Sequence, residues 1–406
     1  MEVRPGYKQT EVGVVPEDWG TASLLVVADC LDNVRVPLNE AERRSMQGDV
    51  PYCGANGILD YVNDFVIDDD IILMAEDGGY FDEYASRPIA YRMRGKCWVN
   101  NHAHILKAKA GYDQEFLFYS LVHKNILPFL ASGTRAKLNK SEMAKIVVPA
   151  PPTEAEQRAI AKALSDVDAL LMGLDRLIAK KRNIKQAVMQ QLLTGQTRLP
   201  GFQGEWEVKH LGDVATFHKG RGLPKSSLTP YGAEPCIHYG ELFTHYPEDI
   251  ETICSRTNDS AGAFRSAAND VLMPTSDVTP RGLAKASCVQ LDGVILGGDI
   301  LVIRCDSKLV FGAFLSYTIR HQEAQVLQLV TGTTVFHLYG RDMAKLVLSL
   351  PSVEEQIAIV RALTDMASEL TALEARRDKT RAVKQGVMQE LLTGKTRLVK
   401  PEAANV

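Results

Sequence analysis

The sequence lacks the features that mark membrane and secreted proteins. None of its apolar runs approaches the ~18 residues of a membrane span, and its start, MEVRPGYKQT, has no apolar segment of the kind found in a secretory signal. Its seven cysteines are scattered without a C-x-x-C pair, which predicts free thiols rather than disulfides or a zinc knuckle. These absences predict a cytoplasmic chain that does not contact a membrane.

The charge balance excludes a strongly basic nucleic-acid binder. The chain has 46 Lys and Arg against 50 Asp and Glu, for a net charge of −4. Any contact with DNA therefore has to come from local patches or be shared with partner subunits. At 406 residues the chain is also too long for one compact core and suits two or three domains.

The sequence also lacks a catalytic or cofactor motif. GKT at 394–396 resembles the end of a P-loop, but Gln389 stands where that loop needs glycine, and the matching GQT at 195–197 lacks the lysine. The Asn/Asp-Pro-Pro-aromatic motif of DNA aminomethyltransferases is absent as well. His102 and His104 form an i, i+2 pair without an acidic or cysteine partner nearby in the sequence. We therefore predict no catalytic residues, no metal and no cofactor in this chain.

What the sequence does contain is an internal repeat. KQAVMQQLLTGQTRL at 185–199 returns 199 residues later as KQGVMQELLTGKTRL at 384–398. Extended upstream without a gap, 156–199 and 355–398 share 23 identities in 44 positions. Identity this dense over a fixed spacing indicates a duplicated structural element.

Each copy of the repeat is predicted to be one long helix. The copies begin PPTEAEQ and PSVEEQ, in which Thr or Ser is followed three residues later by Glu, the pattern of a capping box. Both end at a T-G step, where Gly195 and Gly394 can close a helix in the left-handed conformation. A continuous helix from 154 to 194 would be roughly 60 Å long at ~1.5 Å per residue. That length exceeds an ordinary globular helix.

Apolar residues recur along each helix in steps of three and four, which predicts a coiled-coil seam. The predicted seam consists of Ile160, Leu164, Val167, Leu171, Leu174, Ile178, Ile359, Leu363, Met366, Leu370 and Leu373. Further along, the seam turns polar at Lys181, Lys185, Arg377, Thr380 and Lys384. The sequence leaves open whether this polar gap is a crossing point, a register device or a docking surface. Because the chain holds two copies, we predict that the helices pair with each other.

The stretches between the helices consist of short β-type runs broken by Gly, Pro, Asn and Asp. Their middles share little sequence, but Trp19 in PEDWG matches Trp206 in QGEWE, and 131–152 matches 330–351. The predicted fold class is α+β, with two globular α/β domains separated by two long antiparallel coiled-coil helices in a pseudo-two-fold repeat. The predicted divisions are a first domain at 1–152, a helical spacer at 153–199, a second domain at 200–351, a second spacer at 352–398 and a C-terminal tail at 399–406.

Several of these motifs resemble those of one protein family. The KQ-x-VMQ-x-LLTG-x-TRL endings, GANG at 54–57, WVNNHAHIL at 98–106 and HYGEL at 238–242 are similar to conserved regions and target recognition domains of specificity subunits of type I restriction-modification enzymes. The resemblance implies that each domain reads one half of a bipartite, asymmetric site in double-stranded DNA, and that the helices set the gap and dock the methyltransferase subunits.

The resemblance also implies which partners carry the chemistry. This chain would be the non-catalytic DNA-recognition subunit of a methyltransferase/endonuclease complex active in phage defence. Two modification subunits would methylate adenine with S-adenosylmethionine, and the family allows for two restriction subunits that cut DNA with ATP. The alternative function is a protein-binding coiled-coil scaffold without nucleic-acid recognition. The helices fit both functions, whereas two divergent domains on matching supports favour two readers of different DNA sequences.

Reading of base edges requires polar or cationic side chains on groove-facing loops. In the first domain the predicted DNA-binding residues are Tyr52, Asn56, Tyr80, Asn101, His102, Arg135, Lys137, Asn139 and Lys140. In the second they are Lys219, Arg221, Lys225, His238, Tyr239, Ser276, Arg281, Lys285, Thr333, Thr334, His337 and Tyr339. The loop SGTRAKLNK at 132–140 is basic and precedes a long helix, whereas its counterpart TGTTVFHLYG at 331–340 is almost uncharged.

Overall fold

The computed structural model describes residues 4–131 and 136–399, so the predicted contact Arg135 lies outside the described residues. The chain forms two compact units. The first consists of Met1–Asp175 with Ala375–Val406, and the second of Arg176–Glu374. Each unit therefore contains one globular domain and a segment of both long helices. Within the described ranges, no helix is long and apolar enough to span a membrane.

In the first unit, six of the strands given below form the main sheet, and the unit also contains two-stranded pairings. Its strands are β1 (Tyr7–Thr10), β2 (Gly13–Pro16), β3 (Gly20–Ser23), β4 (Ala28–Cys30), β5 (Gln47–Gly54), β6 (Gly57–Val62), β7 (Ile67–Ala75), β8 (Ala90–Val99), β9 (Ala103–Ala108) and β10 (Val147–Ala150). Its helices are α1 (Leu24–Val27), α2 (Glu40–Ser45), α3 (Gln114–Leu121), α4 (Lys140–Met143) and the start of α5 (Glu154–Leu193). The main sheet has the order β4-β9-β7-β8-β5-β6 and is antiparallel except between β5 and β8.

Strand β7 is covered on both faces of this sheet. Ile72 and Met74 join one core cluster, whereas Ile71 and Leu73 join the other, as the two-residue period of a strand requires. Burial on both sides explains why β7 ends in an uninterrupted apolar run instead of an alternating one. The first of these clusters also contains residues of both long helices, so the helix ends belong to the core of the domain.

The second unit is built on two sheets. Its strands are β11 (Glu207–His210), β12 (Ala215–Lys219), β13 (Glu234–Ile237), β14 (Asp249–Ile250), β15 (Ser255–Thr257), β16 (Phe264–Arg265), β17 (Asp270–Pro274), β18 (Ser276–Asp277), β19 (Ser287–Val289), β20 (Ile295–Leu296), β21 (Ile300–Cys305), β22 (Phe336–His337) and β23 (Val347–Leu350). Its helices are α6 (Leu211–Val214), α7 (Glu241–Thr244), α8 (Gly312–His321), α9 (Glu323–Leu329), α10 (Gly340–Met343) and the start of α11 (Val353–Leu392). The sheets have the orders β12-β21-β17-β19-β14 and β15-β13-β20-β16.

The two long helices, α5 and α11, have 40 residues each. For α5, the predicted span of 154 to 194 is confirmed to within one residue. Gly195 and Gly394 follow the helices with φ of +70° and +65°, which confirms the predicted left-handed closure. At a rise of ~1.5 Å per residue, each helix is about 60 Å long.

In the first unit the helices pack antiparallel. Asp168 of α5 lies 2.6 Å from Lys384 of α11, and Asp175, one heptad later on α5, lies 3.8 Å from Arg377, one heptad earlier on α11. Lys384 and Arg377 are two of the residues in the predicted polar gap. The gap therefore carries interhelical ion pairs, which suit a device that fixes helix register.

In the second unit Lys181, another residue of the predicted polar gap, also forms an interhelical ion pair, with its Nζ 2.7 Å from a carboxylate oxygen of Glu369. Arg182 also pairs with Glu374 on the facing helix. All of the predicted seam residues in both units are buried or half-buried, which agrees with an apolar seam between helices.

An ion-pair clamp joins the start of α5 to the segment that follows α11 in the first unit. Arg397 donates to the buried carboxylate of Glu156 at 2.8 Å and to Asp18 at 2.9 Å. Its guanidinium also lies 5.9 Å from the ring centroid of Trp19, which is fully buried. The clamp thus ties the last part of the repeat to the start of α5 and to the N-terminal part of the first domain.

The second unit holds the same clamp. Arg198 donates through two nitrogens to the buried carboxylate of Glu355, and its guanidinium lies 5.7 Å from the ring centroid of Trp206. The predicted capping boxes are only half formed, because the Thr153 and Ser352 hydroxyls accept the expected N–H bonds while the glutamates bind arginine instead. The repeated Thr-Arg-Leu ending therefore supplies the clamp arginine in both copies.

Candidate nucleic-acid interface

In the first unit, backbone hydrogen bonds hold several loops together at the end of β7. The N–H of Glu76 donates to the carbonyl of His102 at 2.9 Å, and the carbonyl of Glu76 accepts the N–H of Leu138 at 2.7 Å. Nearby, the N–H of Asn100 donates to the carbonyl of Cys53 at 3.0 Å. These bonds connect the β8–β9 turn, the end of β5 and the loop before α4.

The second unit forms the same pattern at the end of β17. The N–H of Thr275 donates to the carbonyl of Asp299 at 2.9 Å, and the carbonyl of Thr275 accepts the N–H of Leu338 at 3.0 Å. The N–H of Gly297 donates to the carbonyl of Ile237, also at 3.0 Å. The two domains therefore share one backbone frame although the middles of their sequences differ.

The shared frame assigns equivalent positions to different side chains. Leu138 and Leu338 are both fully buried and anchor their loops. The residues on either side of each leucine are Lys137 and Asn139 in the first unit. In the second unit the same places are taken by His337 and Tyr339. A frame that is kept while its outward side chains change is the arrangement expected of two readers with different targets.

Three predicted residues of the first domain converge beside the segment that follows β7. His102 Nδ1 lies 2.7 Å from the carboxylate of Asp77, and Asn56 donates through its side-chain nitrogen to the carbonyl of Gly78 at 2.8 Å. Lys137 forms a backbone bridge with Asp77. These residues come from three separate loops, so the structure groups what the sequence separates by more than 80 positions.

The side chain of Glu76 supports the surface that Asn56, His102 and Lys137 form. Its nearly buried carboxylate receives the Lys137 ammonium at 2.9 Å and the guanidinium of Arg35. Arg35 also donates to the carbonyl of Ala103 at 3.1 Å. Glu76 and Arg35 were not among the predicted residues, because ion pairs between residues so far apart leave no local pattern. Burial raises the pKa of Glu76, but its bonds to Arg35 and Lys137 outweigh burial and lower it.

His104 ties the loop before α4 to the sheet. Its Nδ1 lies 2.7 Å from the carboxylate of Asp32, and its Nε2 lies 2.8 Å from the carbonyl of Leu138. Burial lowers the pKa of His104, but these hydrogen bonds raise it to about 9. The thiol of Cys30 lies near enough that Cys30, Asp32 and His104 place their ligand atoms within 4.8 Å of one another. Because both ring nitrogens face acceptors, the protonated ring fits this place better than a metal ligand does.

Tyr52 and Tyr80 are less accessible to a ligand than the exposed predicted residues of this domain. Tyr52 is buried, and its hydroxyl accepts the N–H of Leu38 at 2.9 Å. A side chain so enclosed supports the fold, and we leave Tyr52 out of the candidate interface. Tyr80 is half-buried, with the guanidinium carbon of Arg87 3.1 Å from its ring centroid. Its ring face is therefore already occupied.

The other predicted residues of the first domain are exposed polar groups next to the same surface. Asn101 lies in the turn between β8 and β9, adjacent to His102. Asn139 precedes α4 and Lys140 begins it. All three side chains are exposed, which leaves them accessible to a ligand.

In the second unit four predicted residues line one cavity of about 660 Å³, namely Lys219, Ser276, His337 and Tyr339. Ser276 on β18 pairs with His337 on β22. The rings of His337 and Tyr339 stack at 6.1 Å with an interplanar angle of 24°. Lys219 Nζ lies 3.3 Å from the carboxylate of Asp299, which lines the same cavity.

Two charged residues of this cavity, Arg341 and Asp299, were not among the predicted residues. Arg341 lies two residues after Tyr339, and its guanidinium is 5.3 Å from the centroid of that ring. The signal that could have found it is its place in LYGRDMAK, the edge that matches the first domain. Asp299 has no comparable local signal.

The remaining predicted residues of the second domain do not line the cavity. Arg281 is ion-paired with Glu323 at 3.1 Å, and the ring of His238 accepts the N–H of Gly240 at 3.1 Å. The residues outside the cavity are Arg221, Lys225, His238, Tyr239, Arg281, Lys285, Thr333 and Thr334. Of these, Arg221, Thr333 and Thr334 are exposed on loops, and Lys225 is exposed at the start of a short 3-10 helix. All eight remain predictions.

The fold is similar to solved specificity subunits over nearly its whole length. The S subunit of a type I restriction-modification system from M. genitalium has a TM-score of 0.61 at 12% identity, with 96% of this chain and 98% of that chain covered. A chain solved in work on complex assembly and conformational transition of the type I R-M system has a TM-score of 0.56 at 16% identity, with 94% and 99% covered. At these identities the similarity shows a shared fold.

Sequence similarity defines the family. Residues 16–184 and 203–380 match the model of the type I restriction modification DNA specificity domain, and the chain belongs to this family. A Haemophilus influenzae protein described as a type I restriction enzyme specificity subunit is 28% identical over 353 residues, covering 83% of this chain and 84% of that protein. The MjaVIII specificity subunit of Methanocaldococcus jannaschii is 24% identical over 311 residues, covering 70% and 71%. The predicted α+β fold class and the family resemblance are confirmed.

Proposed function

We propose that this chain is the DNA-reading subunit of a type I restriction-modification complex, and that each unit reads one half of a bipartite, asymmetric site in double-stranded DNA. The observation that carries the proposal is the shared frame with exchanged side chains. Lys137 and Asn139 stand where the other unit has His337 and Tyr339. Amide, imidazole and ammonium groups at equivalent loop positions differ in the base edges that they match.

The chain itself is assigned no reaction. Methyl transfer to adenine with S-adenosylmethionine belongs to modification subunits, and ATP-dependent cleavage belongs to restriction subunits. Gly394, the residue that resembled a P-loop glycine, closes helix α11 at a φ of +65°, which supports a structural role for the GKT stretch. The relatives named as specificity subunits support the same division of labour.

The long helices carry a duplicated surface that suits two copies of one partner. Gln186 and Gln190 on α5 are exposed, and so are Gln385 and Gln389 at the matching places on α11. Because these exposed glutamines do not pack in the seam, packing between the helices does not explain why the same residues occur in both copies. Their repetition favours a contact with a partner outside the seam. We assign this contact to two modification subunits, one for each half of the repeat.

Co-expression with a modification subunit, followed by mapping of methylated adenines across the host genome, tests the proposed function. We expect one bipartite, asymmetric motif with a gap of fixed length, and no methylation from the chain without its partner. The alternative, a protein-binding scaffold, requires that the complex assemble but retain no DNA even at low salt, where phosphate contacts are strongest. Methyl transfer by the pure chain would contradict the proposal.

A further inference from the structure

The cavity of the second unit brings together an arginine and an aspartate with complementary hydrogen-bonding capacity. Resting on the proposed function, we propose that this cavity reads a G·C base pair, with Arg341 donating to guanine and Asp299 accepting from cytosine. Arginine matches the O6 and N7 acceptors of guanine with two parallel bonds, and a carboxylate accepts from the N4 amino group of cytosine. No other base pair offers both partners in the major groove.

Arg341 has the fork of donors that such a contact needs. Its side chain is 82% exposed, and its nearest carboxylate is that of Asp342, 3.7 Å from Nε. Asp342 pairs more closely with Lys345, at 2.9 Å. Among the described residues, no partner holds the two terminal nitrogens of Arg341. The ring of Tyr339, 5.3 Å from the guanidinium carbon, contacts Arg341 without using its donors.

Other arginines of the second unit are already engaged. Arg198, Arg265, Arg304 and Arg320 form ion pairs with Glu355, Glu234, Asp270 and Glu248, respectively. Their guanidinium groups hold the fold together and are less available to a ligand. Among the described residues that line the cavity, Arg341 is the one arginine.

Asp299 has features of a residue kept for a ligand. Its φ of +61° lies in the left-handed region, which Asp and Asn adopt more readily than most residues other than glycine. Its carboxylate is half-exposed and contacts Lys219 at 3.3 Å. The ammonium of Lys219 offsets the negative charge that would otherwise repel the DNA backbone. The same lysine can bind a phosphate once Asp299 turns to a base.

Variants of the whole chain in complex with its modification subunit test this inference. Arg341→Ala removes the donor fork. Asp299→Asn removes the negative charge and replaces one acceptor oxygen with an amide donor, while keeping a residue type that tolerates left-handed backbone. Lys308→Ala is the matched control, because Lys308 is an exposed cation of the same unit outside the cavity. Each complex is assayed by genome-wide mapping of methylated adenines and by competition binding with oligonucleotides that carry every single base-pair change. Circular dichroism checks that each variant is folded.

We expect Arg341→Ala to reduce discrimination at one G·C pair of one half-site by roughly tenfold to a hundredfold. Asp299→Asn should relax the same G·C pair, and the other half-site should be unchanged in both variants. Relaxation at an A·T pair, or uniform weakening across all oligonucleotides with a salt slope lower by about one, would overturn the inference. A wild-type complex without any bipartite motif would instead contradict the proposed function.

Discussion

Glu156 and Glu355 are almost fully buried carboxylates in the first turns of the long helices. Burial raises the pKa of Glu156, and the hydrogen bond from Arg397 opposes that effect. Breaking a buried pair by removal of one partner is costly, because the other charge stays in place without compensation. The clamp arginine is therefore the residue on which each helix start depends.

Arg397→Ala should lower the free energy of unfolding by about 3 kcal/mol, the cost of leaving the Glu156 carboxylate buried and unpaired. Urea denaturation followed by circular dichroism measures the change. Lys395→Ala is the control, because Lys395 is exposed and pairs only loosely with Glu390, at 3.8 Å. A loss below 1 kcal/mol for Arg397→Ala would show that the clamp is not important for stability.

His104 should make the stability of the first unit depend on pH. Because the folded pKa of about 9 lies above the ordinary value of 6.5, its stabilisation is complete below pH 6.5 and is lost as the pH rises through 9. The contribution amounts to roughly 3 kcal/mol at most, from about 1.4 kcal/mol per unit of pKa. Urea unfolding of the wild type and of His104→Asn at pH 6, 7.5 and 9.5 tests this expectation. Equal pH dependence in both proteins would contradict it.

Lys137→Ala should weaken binding of DNA by the assembled complex and lower the salt slope by about one, if its ammonium exchanges Glu76 for a phosphate. Lys137 is about half-exposed and its ion pair with Glu76 is easily exchanged in solvent. Fluorescence anisotropy between 50 and 200 mM salt measures both quantities. Lys145→Ala is the control, because Lys145 is an exposed lysine that follows α4 and pairs with Glu142. Identical slopes for both variants would remove Lys137 from the interface.

At the scale of elements, the sequence predicted the long helices far better than the sheets. Capping residues, heptad steps and a closing glycine are all local, so the bounds of α5 could be placed to within one residue. The sheets depend on pairing between distant segments, such as the parallel contact of β5 with β8, which no short stretch reveals. The same limit explains why Lys137 was predicted at the candidate interface but its ion-pair partner Glu76 was not.

The seam can be tested with two leucines of α5 that lie four residues apart. Leu174 is 5% exposed and Leu170 is 44% exposed. Leu174→Ala should lower the free energy of unfolding by about 2–3 kcal/mol, because it removes buried apolar contacts, whereas Leu170→Ala should change it by less than about 1 kcal/mol. Thermal and urea denaturation measure both. Equal effects would show that the seam lies elsewhere on the helix.

At the scale of the whole molecule, the prediction that the helices set the gap between the two half-sites has a geometric consequence. Insertion of seven residues after Leu177 and seven after Arg376 keeps the heptad register and lengthens each helix by about 10 Å. That length corresponds to about three base pairs. If the variant complex methylates DNA, we expect both half-sites to keep their sequence and the gap between them to lengthen. Efficient methylation with an unchanged gap would show that the helices do not set the spacing.

The division of the chain between the units also bears on how the protein is made. The second unit is one continuous stretch, 176–374, whereas the first unit needs 375–399 to complete its helix seam and its clamp. A ribosome therefore releases every residue of the second unit before the first unit can close. Multidomain chains usually fold from the N-terminus onward during synthesis, and this topology reverses that order. Until Arg397 emerges, the nascent first unit carries an unpaired Glu156 and an uncovered apolar stripe on α5, and such exposed apolar surface favours aggregation.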